Sequence, residues 1–176
     1  HIGPEGGYLS EYGPYFTDRY RTPWGMAVNY DDSGSDAVRE FVLDNVRMWI
    51  EEYHCDGLRL DAVHAIYDFG ARHILHDIKE TADTAAAGRG RHVHIVAESD
   101  LNDVRLLLSP QRGGCGLDAQ WSDDFHHMTH AAPTGERHGY YVDYGAPGQF
   151  PRLLEDTFVL NGCYSVHRDR CHGGSD

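Results

Sequence analysis

The stretch DGLRLDAVHAI, residues 56–66, decides the fold class of this chain. Leu58 and Leu60 alternate with Arg59 and Asp61, so an extended strand would place the apolar pair on one face and the charged pair on the other. A mostly buried strand that ends in a carboxylate is typical of the carboxyl edge of a parallel sheet, where ligands bind in α/β folds. The stretch therefore predicts a strand whose end carries chemistry.

Helical and strand patterns alternate on both sides of this stretch. Apolar side chains repeat at spacings of three and four in residues 35–53, with Ser35 as the expected N-cap, and again in residues 66–86, which predicts two helices. HVHIVAESD (92–100) and LDAQWSD (117–123) have the composition of further strands. We expect shorter helices at 101–108, 125–132 and 148–156.

This order of elements predicts an α/β fold. Residues 1–34 are rich in Gly, Pro, Tyr and Asp, and we expect them to form one long irregular loop. Beyond this loop, strands and helices alternate, which indicates parallel strands joined by crossover helices. Every predicted strand also ends in acidic residues, which would gather at one rim of the sheet. These acids are Asp61, Glu98, Asp100, Asp123 and Asp124.

Composition limits the class of partner. The formal net charge of −13 argues against nucleic acid and against an anionic membrane surface, because both need a basic protein face. Four widely spaced cysteines without a CxxC pair favour free thiols and a reducing compartment, and hence a cytoplasmic location. No apolar run approaches the roughly 20 residues that a membrane helix needs. A neutral small-molecule substrate fits this composition best.

Asp61 and Glu98 are the predicted catalytic pair. They are one strand–helix unit apart, so neighbouring strands would present them side by side, and paired carboxylates are the equipment of glycoside hydrolysis. Arg59 lies on the face of Asp61 and favours its ionised form, whereas Val96 occupies the equivalent position before Glu98 and leaves that acid in a more apolar setting. We therefore predict Asp61 as nucleophile and Glu98 as general acid/base. The alternative is that these acids cap helices or form ion pairs.

WSDDFHHMTH, residues 121–130, is a second concentration of functional side chains. A helix would bring His126, His127 and His130 to one face, a pattern that also occurs in metal sites. HExxH and zinc-finger cysteine spacing are absent, so we predict no metal and no cofactor. We predict a sugar-binding surface instead, because carboxylates accept hydrogen bonds from hydroxyl groups and an indole packs on a sugar ring. The expected contacts are Trp121, Asp123, Asp124, His126 and His127.

At DGLRLDAVHAI and VAESD the sequence resembles the α-amylase superfamily, glycoside hydrolase family 13. The resemblance implies a (β/α)8 barrel, of which residues 1–176 would be the central piece with about strands 4 to 6 and a long N-terminal βα loop. It implies Asp61 as nucleophile, Glu98 as acid/base, and His1 as the end of a signature that contacts the sugar. The third carboxylate of the superfamily would follow residue 176, so we expect the chain by itself to be inactive.

Within that superfamily, GPYFTDRYRTPWG and LDAQWSDDFHH resemble the branch that releases trehalose. This implies hydrolysis, with retention, of the α-1,4 bond beside a terminal trehalose of a maltooligosaccharide. His64 and the 123–127 segment would then recognise the trehalose side. Two alternatives stay open: a glycogen branching enzyme, and a noncatalytic sugar- or metal-binding module. The sequence predicts no oligomeric state.

Overall fold

The structure, a computed structural model, describes residues 8–174 and has an α/β fold. In chain order the regular elements are β1 (Phe16–Thr22), β2 (Gly25–Val28), α1 (Ser35–Glu51), β3 (Gly57–Leu60), α2 (Ile74–Ala87), β4 (His94–Ser99), β5 (Ala119–Ser122), α3 (Asp123–Thr134), α4 (Gln149–Asp156), β6 (Cys163–Ser165) and β7 (Arg170–His172). Short 3-10 helices lie at Leu9–Glu11, Val63–Ala65, Val104–Leu106, Pro110–Arg112 and Gly139–Asp143.

The main sheet consists of β3, β4 and β5, and all three strands are parallel. Leu58 pairs with Ile95 across the first two strands, and Glu98 pairs with Trp121 across the last two. The predicted strands and their parallel arrangement are confirmed. The sheet is open within residues 8–174, and its strands all end at the same edge. The acids after β3, at the end of β4 and after β5 consequently meet there.

The main core lies between this sheet and the two long helices. Ile50 of α1, Ile74 and Leu75 of α2, and Ile95 of β4 are almost completely buried against one another. Burying one such side chain stabilises the fold by roughly 1.5–3 kcal/mol. A second apolar cluster joins α3 to the C-terminal segment and contains Met128, Ala131, Tyr144, Leu153, Val159 and Leu160.

The predicted helix at 66–86 begins only at Ile74, and Asp68 is the reason. Its carboxylate accepts hydrogen bonds from the backbone N–H groups of Gly70 at 2.9 Å and Ile74 at 2.6 Å. Such local side-chain bonds compete with helix formation, and here they hold residues 66–73 in an irregular loop. Arg39 locks the arrangement from α1, because Nη1 lies 2.6 Å from Asp68 and Nη2 lies 2.6 Å from Asp77.

The expected loop over residues 1–34 is wrong in part, because β1 and β2 form an antiparallel hairpin. The composition of this region, rich in Gly, Pro and Asp, indicates a loop, so the two short strands could not be recognised from the sequence. A second hairpin, β6 with β7, was also not expected. Gly34 rather than Ser35 is the N-cap of α1, and of the helix expected at 101–108 only the short turn Val104–Leu106 forms.

The helices expected after β5 and near residues 148–156 are confirmed as α3 and α4. Among the described residues, no helix has the length and apolar character required to span a membrane.

Candidate active site

The guanidinium of Arg59 joins the two predicted catalytic acids. Its Nη1 donates to Oδ1 of Asp61 at 2.7 Å, and its Nη2 lies 3.5 Å from Oε2 of Glu98. The two acids belong to neighbouring parallel strands, and both point to the carboxyl edge of the sheet. The side chain of Asp61 is 59% exposed and that of Glu98 is 23% exposed. Both carboxylates are therefore held by one cation and remain open to solvent.

The surroundings of Glu98 differ from the apolar setting that the sequence predicts. Besides Arg59, the backbone N–H of Ala62 donates to Oε2 of Glu98 at 2.6 Å. The sequence places the apolar Val96 two residues before Glu98 and gives no sign of a nearby donor. The donors come instead from another part of the chain, namely Arg59 in β3 and Ala62 directly after Asp61. Environment therefore does not separate the roles of the two acids in the way expected from the sequence.

Ala62 is a member of this cluster that the sequence did not predict. Its backbone is left-handed, with φ 45° and ψ 49°, a conformation that costs a residue with a Cβ roughly 1–2 kcal/mol. This conformation directs the Ala62 N–H across to the next strand. Because the side chain contributes no chemistry, nothing in the sequence marks this position.

Trp121 extends the same cluster on the β5 side. The Cζ atom of Arg59 lies 4.7 Å from the centroid of the indole, a cation–π contact, and the residue is 54% exposed. Glu98 is its partner across β4 and β5. An exposed indole beside a carboxylate pair offers an apolar surface on which a sugar ring packs.

A second polar group lies beside the first and centres on Asp100. His64 Nδ1 is 3.7 Å from Oδ1 of Asp100, and Arg168 Nη2 is 3.3 Å from Oδ2. The ring of Trp24 lies 6.4 Å from that of His64. His64 is thus at the predicted rim, whereas Arg168 is a new member, and its sequence separation of 68 residues from Asp100 gives no signal.

Asp123 lies close enough to both the Glu98 group and the Asp100 group for their charges to shift its pKa. Burial raises the pKa of this carboxyl, and the negative charges of Glu98 and Asp100 raise it further, whereas His126 and His64 lower it. Asp123 opens α3 directly after β5, and His126 is exposed one turn later in the helix. Asp123, His126 and His64 consequently lie around the same edge of the sheet as the predicted catalytic pair.

Asp124 does not join this cluster. It is 2% exposed, and its two oxygens accept hydrogen bonds from four protein donors. The donors are Asn102 Nδ2 at 3.0 Å, Tyr144 Oη at 2.6 Å, Val159 N at 2.6 Å and Leu160 N at 2.8 Å. The carboxylate joins α3 to the C-terminal segment, and the geometry gives no support to the sugar contact expected from sequence.

His127 also points into the interior. It is 9% exposed, and its ring stacks on Tyr140 with the centroids 4.3 Å apart. Burial lowers the pKa of His127 to about 4, and the nearby His126 lowers it too. A neutral, covered imidazole is a packing group, so the geometry does not support the expected sugar contact here either. His1, the remaining sequence-predicted contact, lies outside the described residues.

Two cavities adjoin the site. The larger, about 710 Å³, is lined by His64, Tyr67 and Leu106 among others, and it does not include Asp61 or Glu98. The smaller, about 240 Å³, is lined by Asp61, Ala62 and Ile66. Of the two predicted catalytic acids, Asp61 lines the smaller cavity, whereas Glu98 lines neither cavity.

Comparisons with known proteins agree with this geometry, although no family model matches the chain. The chain is 49% identical over 178 residues to the malto-oligosyltrehalose trehalohydrolase of Saccharolobus solfataricus, covering 99% of this chain and 30% of that protein. It is also 49% identical over 173 residues to the enzyme of the same name from Rhizobium sp. strain M-11, covering 98% of this chain and 29% of that protein.

Two further matches are to other proteins that act, by their names, on α-glucans. A 1,4-alpha-glucan branching enzyme of Myxococcus xanthus is 31% identical over 127 residues, which is 60% of this chain and 16% of that protein. A Salmonella typhimurium crystal structure, of a protein provisionally described as an alpha amylase, superposes with a TM-score of 0.81 at 35% identity, over 99% of this chain and 30% of that one. The chain thus resembles the malto-oligosyltrehalose trehalohydrolases over almost its whole length and spans about 30% of the length of these curated relatives.

Proposed function

We propose that this chain supplies the nucleophile and the acid/base of a retaining glycoside hydrolase. The reaction is cleavage of the α-1,4-glucosidic bond beside a terminal trehalose in maltooligosyl trehalose, with release of trehalose. One observation carries the proposal: Arg59 contacts both Asp61 and Glu98 at the ends of neighbouring strands. The names of the relatives at 49% identity support the choice of substrate.

The proposed chemistry has two steps. Asp61 attacks the anomeric carbon, and Glu98 transfers a proton to the departing glycosidic oxygen, so the C–O bond breaks as a glycosyl–Asp61 ester forms. Glu98 then takes a proton from water, which hydrolyses the ester with net retention. A retaining pair needs carboxyl groups about 5–5.5 Å apart, and a shared guanidinium supports such a short separation.

The contacts of Glu98 divide the work between its oxygens. The Arg59 guanidinium and the Ala62 N–H are both hydrogen-bond donors that face Oε2, whereas neither faces Oε1. We therefore assign the transferred proton to Oε1. Arg59 also donates a hydrogen bond to Asp61, the proposed nucleophile, and so holds its carboxylate beside Glu98.

We propose further that residues 1–176 are the central part of one (β/α)8 barrel domain, with β3, β4 and β5 as about its fourth to sixth strands. The parallel order of the strands and the overlap with the Salmonella structure support this assignment. A third carboxylate and the remaining strands would come from other parts of the protein.

Substrate contacts follow from position. Trp121 would pack on a sugar ring beside the cleaved bond, and His64, Asp123 and His126 would hydrogen-bond the trehalose side. His1 keeps the sugar contact that the family resemblance implies. The four free cysteines support a reducing compartment such as the cytoplasm, where this reaction would contribute to trehalose synthesis.

The test is a product analysis of the polypeptide expressed from the gene segment that encodes this chain together with its flanking coding sequence. We expect free trehalose from maltooligosyl trehalose, with the other product released first as the α-anomer in proton NMR. Asp61→Asn should abolish the reaction, and Asp44→Asn, a change on the exposed face of α1, should leave it intact. Trehalose release that persists in Asp61→Asn would contradict the proposal.

Two other functions would give different products or none, and they are tested by adding amylose as a second substrate and by measuring sugar binding. New α-1,6 branches on amylose without free trehalose would identify a branching enzyme, the class of the 31% identical match. Saturable sugar binding without turnover would indicate a noncatalytic module.

A further inference from the structure

Three side chains that could bind a metal converge at the amino edge of the main sheet, opposite the candidate active site. His94 is the first residue of β4, His92 lies two residues before it, and Asp118 directly precedes β5. Their nitrogen and oxygen atoms all lie within 4.8 Å of one another. The imidazole centroids are 4.6 Å apart, and His92 Nε2 lies 4.0 Å from Oδ1 of Asp118. Within residues 8–174 this is the one group of three His, Cys, Asp or Glu side chains with such spacing.

The backbone holds these side chains in place. Residues 92 and 94 are two apart in extended chain, so both imidazoles project from the same face. Asp118 is fixed to β4 twice: its N–H donates to the carbonyl of Ile95 at 3.0 Å, and its Oδ2 accepts from the Ile95 N–H at 2.7 Å. The second bond engages Oδ2 and leaves Oδ1 for other partners, 4.0 Å from His92 Nε2. The carboxylate is therefore oriented before any ligand arrives.

We propose that His92, His94 and Asp118 bind one divalent transition-metal ion, with Zn²⁺ as the reference ligand. Two imidazoles and one carboxylate are a ligand set that suits Zn²⁺, whereas Ca²⁺ and Mg²⁺ prefer oxygen ligands alone. The three residues are exposed, so water completes the coordination. The site ties the start of β4 to the start of β5.

Lys79 opposes metal binding at this site. Its Nζ lies 3.1 Å from Oδ1 of Asp118 and also 2.5 Å from Oδ1 of Asp83. A metal ion must displace the ammonium group from Asp118, after which Lys79 keeps its bond to Asp83. Removing the lysine charge should therefore tighten metal binding. Incidental binding of zinc elsewhere on the surface would not respond to this substitution.

The experiment is calorimetric titration of the metal-free chain with Zn²⁺ at about pH 7.5, because metal ligands bind in their deprotonated form. We expect one ion per chain. His92→Ala combined with His94→Ala should abolish binding, and Asp118→Asn should weaken it about tenfold or more, whereas Lys79→Met should tighten it severalfold. Circular dichroism of each variant checks that the fold is kept.

Two matched controls separate this site from other ligands for zinc. His130→Ala removes an imidazole from α3, and Cys171→Ser removes an exposed thiol; neither should change the stoichiometry or the affinity. Titration with Co²⁺ provides a second readout, because thiolate ligands add a near-ultraviolet charge-transfer band that this site would lack. Binding that survives the double His variant, or that is lost with Cys171→Ser, would overturn the proposal. Neither result depends on glycosidase activity.

Discussion

Asp61 and Asp124 follow two strands of the same sheet, yet they have opposite surroundings. The Asp61 side chain is 59% exposed and is held by one hydrogen bond from Arg59. Asp124 is 2% exposed and accepts hydrogen bonds from four donors, two of them backbone N–H groups more than 30 residues away. Both residues are strand-end acids in the sequence, and nothing local distinguishes them.

The difference teaches what makes a carboxylate available for chemistry. When protein donors fill the oxygens of a buried acid, its charge stabilises the fold, and removing it leaves those donors unpaired. When one cation holds an exposed acid, removal costs little stability but takes away a reactive group. Variants at the two positions should therefore have opposite effects on activity and on folding.

The largest effect should come from Asp61→Asn. In the polypeptide with its flanking coding sequence, we expect trehalose release to fall on the order of 10³-fold or more, because the amide is no nucleophile. Glu98→Gln should lose about 10²- to 10⁴-fold, the usual contribution of an acid/base. Steady-state rates on maltooligosyl trehalose measure both changes.

The same variant provides a stability control. Asp61→Asn should change the free energy of unfolding by less than about 1 kcal/mol, because an exposed ion pair contributes little. An Asp61→Asn protein that unfolds early in urea would mean that its activity loss reports folding rather than chemistry.

The next largest effect should be on stability at Asp124. Asp124→Ala leaves the backbone N–H groups of Val159 and Leu160 without acceptors, so we expect the free energy of unfolding to fall by about 3 kcal/mol or more. Urea denaturation of the chain measures this. The matched control is Asp156→Ala at the end of α4, where a half-exposed pair with Arg152 should cost no more than about 0.5 kcal/mol. Equal losses at the two positions would contradict the structural role of Asp124.

His127 extends the comparison to pH. Its pKa is lowered from 6.5 to about 4 by burial, so between these values the unfolded chain binds a proton that the folded chain excludes. The stability contributed by neutral His127 is thus complete above about pH 6.5 and is lost as pH falls toward 4. Thermal melts over this range should show a smaller pH slope for His127→Phe than for wild type.

A control and a direct readout accompany that melt series. The same substitution at the exposed His138, which is not among the groups that shift the pKa of His127, should leave the slope near that of wild type. An NMR titration in which the His127 ring protonates near pH 6.5 would remove the basis of the expectation.

The smallest effect should come from Ala62→Gly. Glycine adopts the left-handed backbone without the cost of a Cβ but loses more entropy on folding, so the two terms nearly cancel and we expect a gain of about 0.5 kcal/mol or less. Because the N–H to Glu98 is kept, trehalose release should be unchanged. Ala82→Gly within α2 is the control of opposite sign and should destabilise the chain by at least about 1 kcal/mol. A strong loss at position 62 would show that the methyl group, and not the backbone, matters there.

Much of the fold could be predicted from local periodicity. The alternation around Leu58 and Leu60 located β3, and the three-and-four repeats located α1, because strand and helix faces repeat at two and 3.6 residues. The β1–β2 hairpin escaped prediction because its strands are short and lie among Gly, Pro, Tyr and Asp residues, a composition that indicates a loop. The late start of α2 escaped because the carboxylate of Asp68 competes for backbone N–H groups, an effect that periodicity does not contain.

The candidate site divides in the same way. Arg59 with Asp61, and Glu98 one unit later, could be predicted because strand geometry places them on one face and one edge. Ala62 and Arg168 could not, because the first acts through its backbone and the second arrives from distant sequence.

By itself, the sequence determined which acids end neighbouring parallel strands, since alternation and spacing are properties of the local chain. Only the tertiary structure decided which of those acids face solvent and which are enclosed. Enclosure depends on what packs above a strand end, and for Asp124 that is a segment about 35 residues further along. The physical reason is that burial and donor supply are set by contacts between distant segments, which no local pattern encodes.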